Sequence, residues 1–173
     1  MTMVLDQLGS IGSIISGIAV VISLIYLAVQ IRRNTEAERT STYQSIVSDF
    51  GAMNNNLAGN PELSHMFVEA LENYHEFNDE DKARISQMFF QIFRMFENMF
   101  YQQKKGYLDQ DLWVGWQRLM LTYFARPGFQ TWWEHRRVVY AKPFVHFLET
   151  EKLDINVKSY KDITNLKEAN SNA

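Results

Sequence analysis

Two Glu-x-x-His pairs, Glu62 with His65 and Glu72 with His75, place a carboxylate and an imidazole one helical turn apart. Bundles that hold metals between carboxylates use that spacing. The two pairs would have to converge on one centre, and their geometry forbids it. Ten residues separate them, which on a helix is about 15 Å along the axis and about 80° around it. Glu69, Glu76, Asp79, Glu80 and Asp81 lie nearby, and no Lys or Arg occurs between 62 and 81. The stretch therefore reads as a solvated acidic face, without a metal. It also suits docking on a basic surface, such as residues 136 to 142 of another copy.

A second constellation is Arg94 and Glu97, which interrupt the apolar run ISQMFFQIFRMFENMFY. Charges on a buried helix must be paired or hydrogen-bonded. Two arrangements satisfy this. One is a ligand pocket in which Tyr101, Trp116, Arg118 and Trp133 surround the pair. The other is an internal ion pair, which needs no ligand. A third cluster, Trp132, Trp133, Glu134, His135, Arg136 and Arg137, is expected to pack its tryptophans in the core beside exposed charges; the alternative is a helix lying on a membrane leaflet.

Nucleophilic catalysis finds no support. His135 and His146 have no Ser, Cys or Asp partner in a triad-like arrangement, and no Gly-rich phosphate loop occurs. The chain contains no cysteine, which excludes disulfides, thiolate metal ligands and thiol nucleophiles. Neither a catalytic residue nor a cofactor is expected. A net charge of −3 disfavours nucleic acid, since phosphate binding needs a basic face.

The elements that position these residues begin with SIISGIAVVISLIYLAVQIRR, residues 13 to 33. Between Asp6 and Arg32 lie 25 residues without a formal charge. As a helix they extend about 37 Å, enough for a tilted crossing of a hydrocarbon core about 30 Å thick. A cleaved signal is disfavoured, because Met1 to Gln7 carries no Lys or Arg and no small-x-small cleavage site follows Leu27. Arg32, Arg33 and Arg39 flank the C-terminal end, so the positive-inside rule places the N-terminus outside and the rest in the cytoplasm.

Steps of four and three along this span collect Gly12, Ser16, Ala19, Ser23, Tyr26 and Gln30 on one stripe. Gly9, Ser13 and Gly17 form a second small-residue row beside it. Helices associate in lipid through close backbone approach at small residues and through polar side-chain bonds, so the stripe predicts a helix–helix interface. A stricter alternative makes Ser16, Ser23 and Gln30 the lining of a pore. The span lacks the ionisable residues that usually mark an ion pathway.

Beyond the arginines, a helical period continues from Asn34 to Leu57, and Gly59, Asn60 and Pro61 end it. Pro61 suits the first turn of a helix carrying Leu63, Met66, Phe67, Ala70, Leu71 and Tyr74. Asn78 reads as an N-cap and Gly106 as a C-terminal stop, giving a helix over about 79–105 with apolar residues on nearly every face. Asp109 caps a helix over Leu112 to Phe124, Arg126-Pro127-Gly128 reads as a turn, and helical patterns resume at Phe129 to Tyr140 and Pro143 to Leu153. The expected fold is all-α: a transmembrane anchor (1–33) continuing into a cytoplasmic bundle of about five helices (34–153), with a loosely held polar tail (154–173).

The segments LIYLAVQIRRNTEAERTSTYQ (24–44), GYLDQDLWVGW (106–116) and RPGFQTWWEHRRVVYAKPF (126–144) resemble a family of small single-span bacterial membrane proteins without an established activity. The resemblance covers most of the chain. It implies a bacterial inner-membrane location and this architecture, and it supplies no catalytic residues. The expected function is a noncatalytic scaffold or accessory subunit in contact with membrane lipid, assembling with its own copies or with another membrane protein. The alternatives are a homo-oligomeric channel and a membrane-anchored sensor or enzyme using the aromatic pocket.

Overall fold

The computed structural model describes the backbone of residues 2–152 and the side chains of residues 16–152. The polar tail expected at 154–173 lies outside the described residues. Six α-helices and no strand occur among them: α1 (Thr2–Ala58), α2 (Pro61–Asn73), α3 (Asp79–Lys104), α4 (Gln110–Phe124), α5 (Pro127–Arg136) and α6 (Lys142–Thr150). Single 3-10 turns stand at Tyr74–Glu76 and Arg137–Val139. The protein is all-α.

Local chemistry sets four of the helix ends. Asn60 caps α2 by accepting the Leu63 amide at 3.0 Å, with Pro61 in the first turn, where its missing N–H is not needed. Asn78 accepts the Asp81 amide at 2.9 Å, and Asp79, Glu80 and Asp81 occupy the positive end of α3. At the other end of α3, Gly106 adopts φ 76. Its amide donates to the Gln103 carbonyl at 2.9 Å and that of Tyr107 to Gln102 at 3.0 Å, a Schellman closure. Asp109 accepts the Asp111 amide at 2.9 Å and starts α4.

The chain divides into two compact units, Met1–Ser41 and Thr42–Ala173. The division falls beyond Arg33, the end of the anchor expected from sequence. In the first unit, every side chain from Ser16 to Val29 is exposed, and the large apolar ones from Ile18 to Ile31 range from 44% to 65%. This is the one helix among the described residues long and apolar enough to cross a membrane.

The second unit has an aromatic core. Phe89, Phe93, Phe96, Phe129, Trp132 and Phe144 are fully buried. Phe93 stacks on Phe129 with centroids 4.0 Å apart, and Phe89 meets Trp132 edge-on at 5.6 Å. Such pairs contribute about 0.5–1.5 kcal/mol each beyond the area they bury. The Trp132 indole donates to Ser86 Oγ at 2.8 Å, which satisfies its one polar atom inside the core. Both Trp132 and Trp133 are buried, while Glu134 to Arg137 are exposed.

Several boundaries differ from the sequence reading. Arg126-Pro127-Gly128 is not a free turn: Arg126 is the N-cap, and Pro127 and Gly128 already belong to α5. The period through Phe129 to Tyr140 breaks at Arg136, where the chain tightens into the 3-10 turn. The next helix occupies Lys142–Thr150 instead of Pro143 to Leu153, and α4 begins at Gln110 instead of Leu112. Nor is α3 enclosed on every side. Arg84, Gln87, Gln91, Arg94 and Asn98, spaced by threes and fours, form an exposed line hidden in sequence among the aromatics.

Candidate functional site

Arg94 and Glu97 sit one turn apart on α3, and their side chains meet through Nη1 and Oε2. The second guanidinium nitrogen donates to the Val139 carbonyl at 3.1 Å. The Ala141 amide donates to Glu97 Oε1 at 2.7 Å. The pair thus joins the middle of α3 to the segment leading into α6, across more than forty residues of sequence. Glu97 is buried, and each of its oxygens has a donor. The guanidinium carbon also lies 4.8 Å from the Tyr140 ring centroid and 5.0 Å from that of Phe90, within cation–π range.

Tyr140 is the buried wall of this arrangement. Its hydroxyl donates to the Phe90 carbonyl at 3.3 Å, and its ring lies 5.1 Å from that of Trp133. Burial pushes its phenol pKa well above the usual value, Arg94 opposes that shift, and Glu97 adds to it. Burial thus favours the protonated phenol.

An open depression of about 570 Å³ adjoins the pair, lined by Arg94, Glu97, Asn98, Tyr101, Val139, Tyr140 and Ala141. A second, of about 380 Å³, lies on the other side of Arg94, between α3 and Asp49, Ala52 and Met53 of α1. Of the residues singled out in sequence, Arg94, Glu97 and Tyr101 share the first depression, whereas Trp116, Arg118 and Trp133 do not line it. Trp116 packs edge-on against Phe50 at 5.0 Å. Arg118 is half-buried on α4, where its carbonyl accepts the Thr122 hydroxyl at 2.7 Å. Trp133 is buried behind Tyr140 and donates to Glu149 at 3.3 Å. Sequence reasoning missed Val139, Tyr140 and Ala141. No local signal links them to Arg94.

The arrangement is an ion pair whose polar atoms have partners. Among the described residues no side-chain nitrogen or oxygen is buried without a partner, and no group of three or more His, Cys, Asp or Glu is placed to hold a metal. Glu72 instead faces Arg126 at 3.5 Å, and His75 lies 3.9 Å from Glu76.

On the stripe of α1, Ser16, Ala19, Ser23 and Tyr26 are exposed and Gln30 is half-buried; the surroundings of Gly12 lie outside the described side chains. Ser23 donates to the Ala19 carbonyl at 2.8 Å, and Gln30 donates to the Tyr26 hydroxyl at 2.9 Å. These groups find partners within their own helix. An added Cβ on Gly17 meets nothing within 4 Å, so that face is open to close approach.

The fold and these features define a class: an all-α protein whose N-terminal helix is long and apolar enough to span a bilayer. No protein-family model, curated protein or solved structure matches the chain.

Proposed function

We propose that the protein is a noncatalytic membrane protein that crosses the bilayer once and works as a scaffold or accessory subunit, through contacts with its own copies or with another membrane protein. The observation that carries this reading is the exposure of the apolar side chains from Ile18 to Ile31. Such a surface matches hydrocarbon, and the intrahelical bonds of Ser23 and Gln30 reduce the penalty of placing their polar groups there. Arg32, Arg33 and Arg39 support an orientation with the N-terminus outside. The satisfied Arg94–Glu97 pair supports an architectural role for the most conspicuous charges of the second unit. The resemblance described above supports the bacterial inner membrane as the location.

The absence of native cysteine makes the test direct. Single-cysteine variants at Ala19 and at Val21 are expressed in bacterial membranes, extracted with alkaline carbonate and oxidised. Resistance to extraction, with disulfide-linked dimers at Ala19 and far fewer at Val21 on the opposite face, is the expected result for a span that self-associates along its stripe. Native mass spectrometry of gently extracted protein separates integer multiples of 20.3 kDa from assemblies with chains of other mass. Release of the chain by carbonate would overturn the reading.

A further inference from the structure

The 3-10 turn at Arg137–Val139 holds two valines out of the aromatic core, Val138 at 81% exposure and Val139 at 45%. Val138 is thus more exposed than any large apolar side chain described in the span segment. A single exposed valine is ordinary on a protein surface, but the setting of this one is specific. Residues 134 to 142 contain three cations, Arg136, Arg137 and Lys142, against one acid, Glu134, in a chain whose net charge is −3. Arg137 is held by Glu149 at 2.9 Å. Arg136 and Lys142 are exposed and make no ion pair among the described residues.

The turn is also braced from behind. The Val139 carbonyl accepts from Arg94, the Ala141 amide donates to Glu97, and the Tyr140 amide donates to the Arg137 carbonyl at 3.1 Å. A tip held this way loses little conformational freedom on docking. Val138 lines neither depression beside Arg94.

We propose that this turn docks on an anionic lipid surface, with Val138 entering the boundary between headgroups and acyl chains and Arg136 and Lys142 placed against lipid phosphates. An exposed apolar tip with exposed cations on both sides of it in sequence suits a soft, negatively charged plane. One valine and two unpaired cations bind such a surface weakly by themselves. The proposal therefore rests on the reading of α1 as a span, which keeps the turn at high effective concentration near a bilayer.

The test uses the full chain with Val138→Cys as its only thiol, labelled with an environment-sensitive dye. It is reconstituted into vesicles of phosphatidylcholine alone or mixed with phosphatidylglycerol. A blue shift confined to the phosphatidylglycerol vesicles is expected. The docked fraction should fall about fivefold for each cation removed in Arg136→Gln and Lys142→Gln. Equal emission in both vesicle types overturns the proposal, whether the dye is wet in both or dry in both. A shift that follows protein concentration, or that needs an added acidic protein, assigns the tip to a protein partner and overturns it as well. A Leu24→Cys variant labelled in parallel reports the span: its dye is blue in both vesicle types if α1 crosses the bilayer. Failure of the anchor is thus distinguished from failure of the docking tip.

Discussion

Gly128 of α5 lies so close to Ala70 of α2 that a Cβ built on it would stand 2.1 Å from the Ala70 carbonyl oxygen. It would also be 2.8 Å from the Tyr74 amide nitrogen. Both neighbours are backbone, so neither can swing aside. Gly128→Ala is expected to destabilise the fold by about 3 kcal/mol or more, since the two helices must separate. Gly115, inside α4, is the control: an added Cβ there meets nothing within 4 Å. Gly115→Ala should stabilise by about 0.5–1 kcal/mol, because alanine loses less backbone freedom in a helix. Denaturant titration of both variants in micelles checks the opposite signs.

Glu97 joins two elements, so its substitutions should be graded. Glu97→Gln keeps an acceptor for the Ala141 amide but loses the charge facing Arg94, at a cost of about 1–2 kcal/mol. Glu97→Ala loses both and should cost about 3 kcal/mol. Arg94→Met leaves a buried carboxylate with only the Ala141 amide, and should destabilise by about 2–3 kcal/mol without removing any bound small molecule. Thermal melts read the stabilities. A ligand that co-purifies with the parent chain and is lost from a still-folded Arg94→Met variant would make the depression a binding site.

Burial raises the phenol pKa of Tyr140 in the folded state, and that of Tyr74 in the same direction, from an ordinary value of 10.0. Arg136 opposes the shift at Tyr74. The fold therefore favours the protonated phenols. Their contribution is complete below about pH 10 and is lost as pH rises past that value toward the folded-state pKa. Stability should fall above about pH 10, with tyrosinate absorbance at 295 nm rising together with unfolding. Tyr140→Phe should flatten that alkaline dependence while losing the bond to the Phe90 carbonyl.

Insertion of α1 should be sensitive to charge and indifferent to its internal hydroxyl bond. Ile22→Lys places a cation in the middle of the exposed apolar segment and should weaken insertion by about 3 kcal/mol. Ser23→Leu removes a hydroxyl already bonded to Ala19 and should insert at least as well as the parent chain. The carbonate-resistant fraction of each variant provides the comparison.

Helix identity and most helix ends were legible in the sequence because their causes are local. Asn78, Asp109, Gly106 and Pro61 act on amides and carbonyls within a turn of themselves, and the uncharged run before Arg32 needs only its length and composition to read as a candidate span. Arg94 and Glu97 could be recognised as a pair because they are one turn apart. Gly128 was misread for the same reason. Beside Pro127 it has the local signature of a turn, whereas its lack of a side chain serves the approach of α5 to α2.

What the tertiary structure decided was which distant groups meet. Val139 and Ala141 reach the Arg94–Glu97 pair only because the chain folds back through α4 and α5, and no periodicity encodes that return. Trp116 and Trp133 look interchangeable as pocket aromatics until packing sends one to Phe50 and buries the other behind Tyr140. The 3-10 turn that exposes Val138 is equally invisible in sequence, where Phe129 to Tyr140 keeps a helical period. Caps, charges and apolar length act within a few residues and can be read along the chain. Close approach and burial depend on how several helices fill one volume, and only the assembled fold settles them.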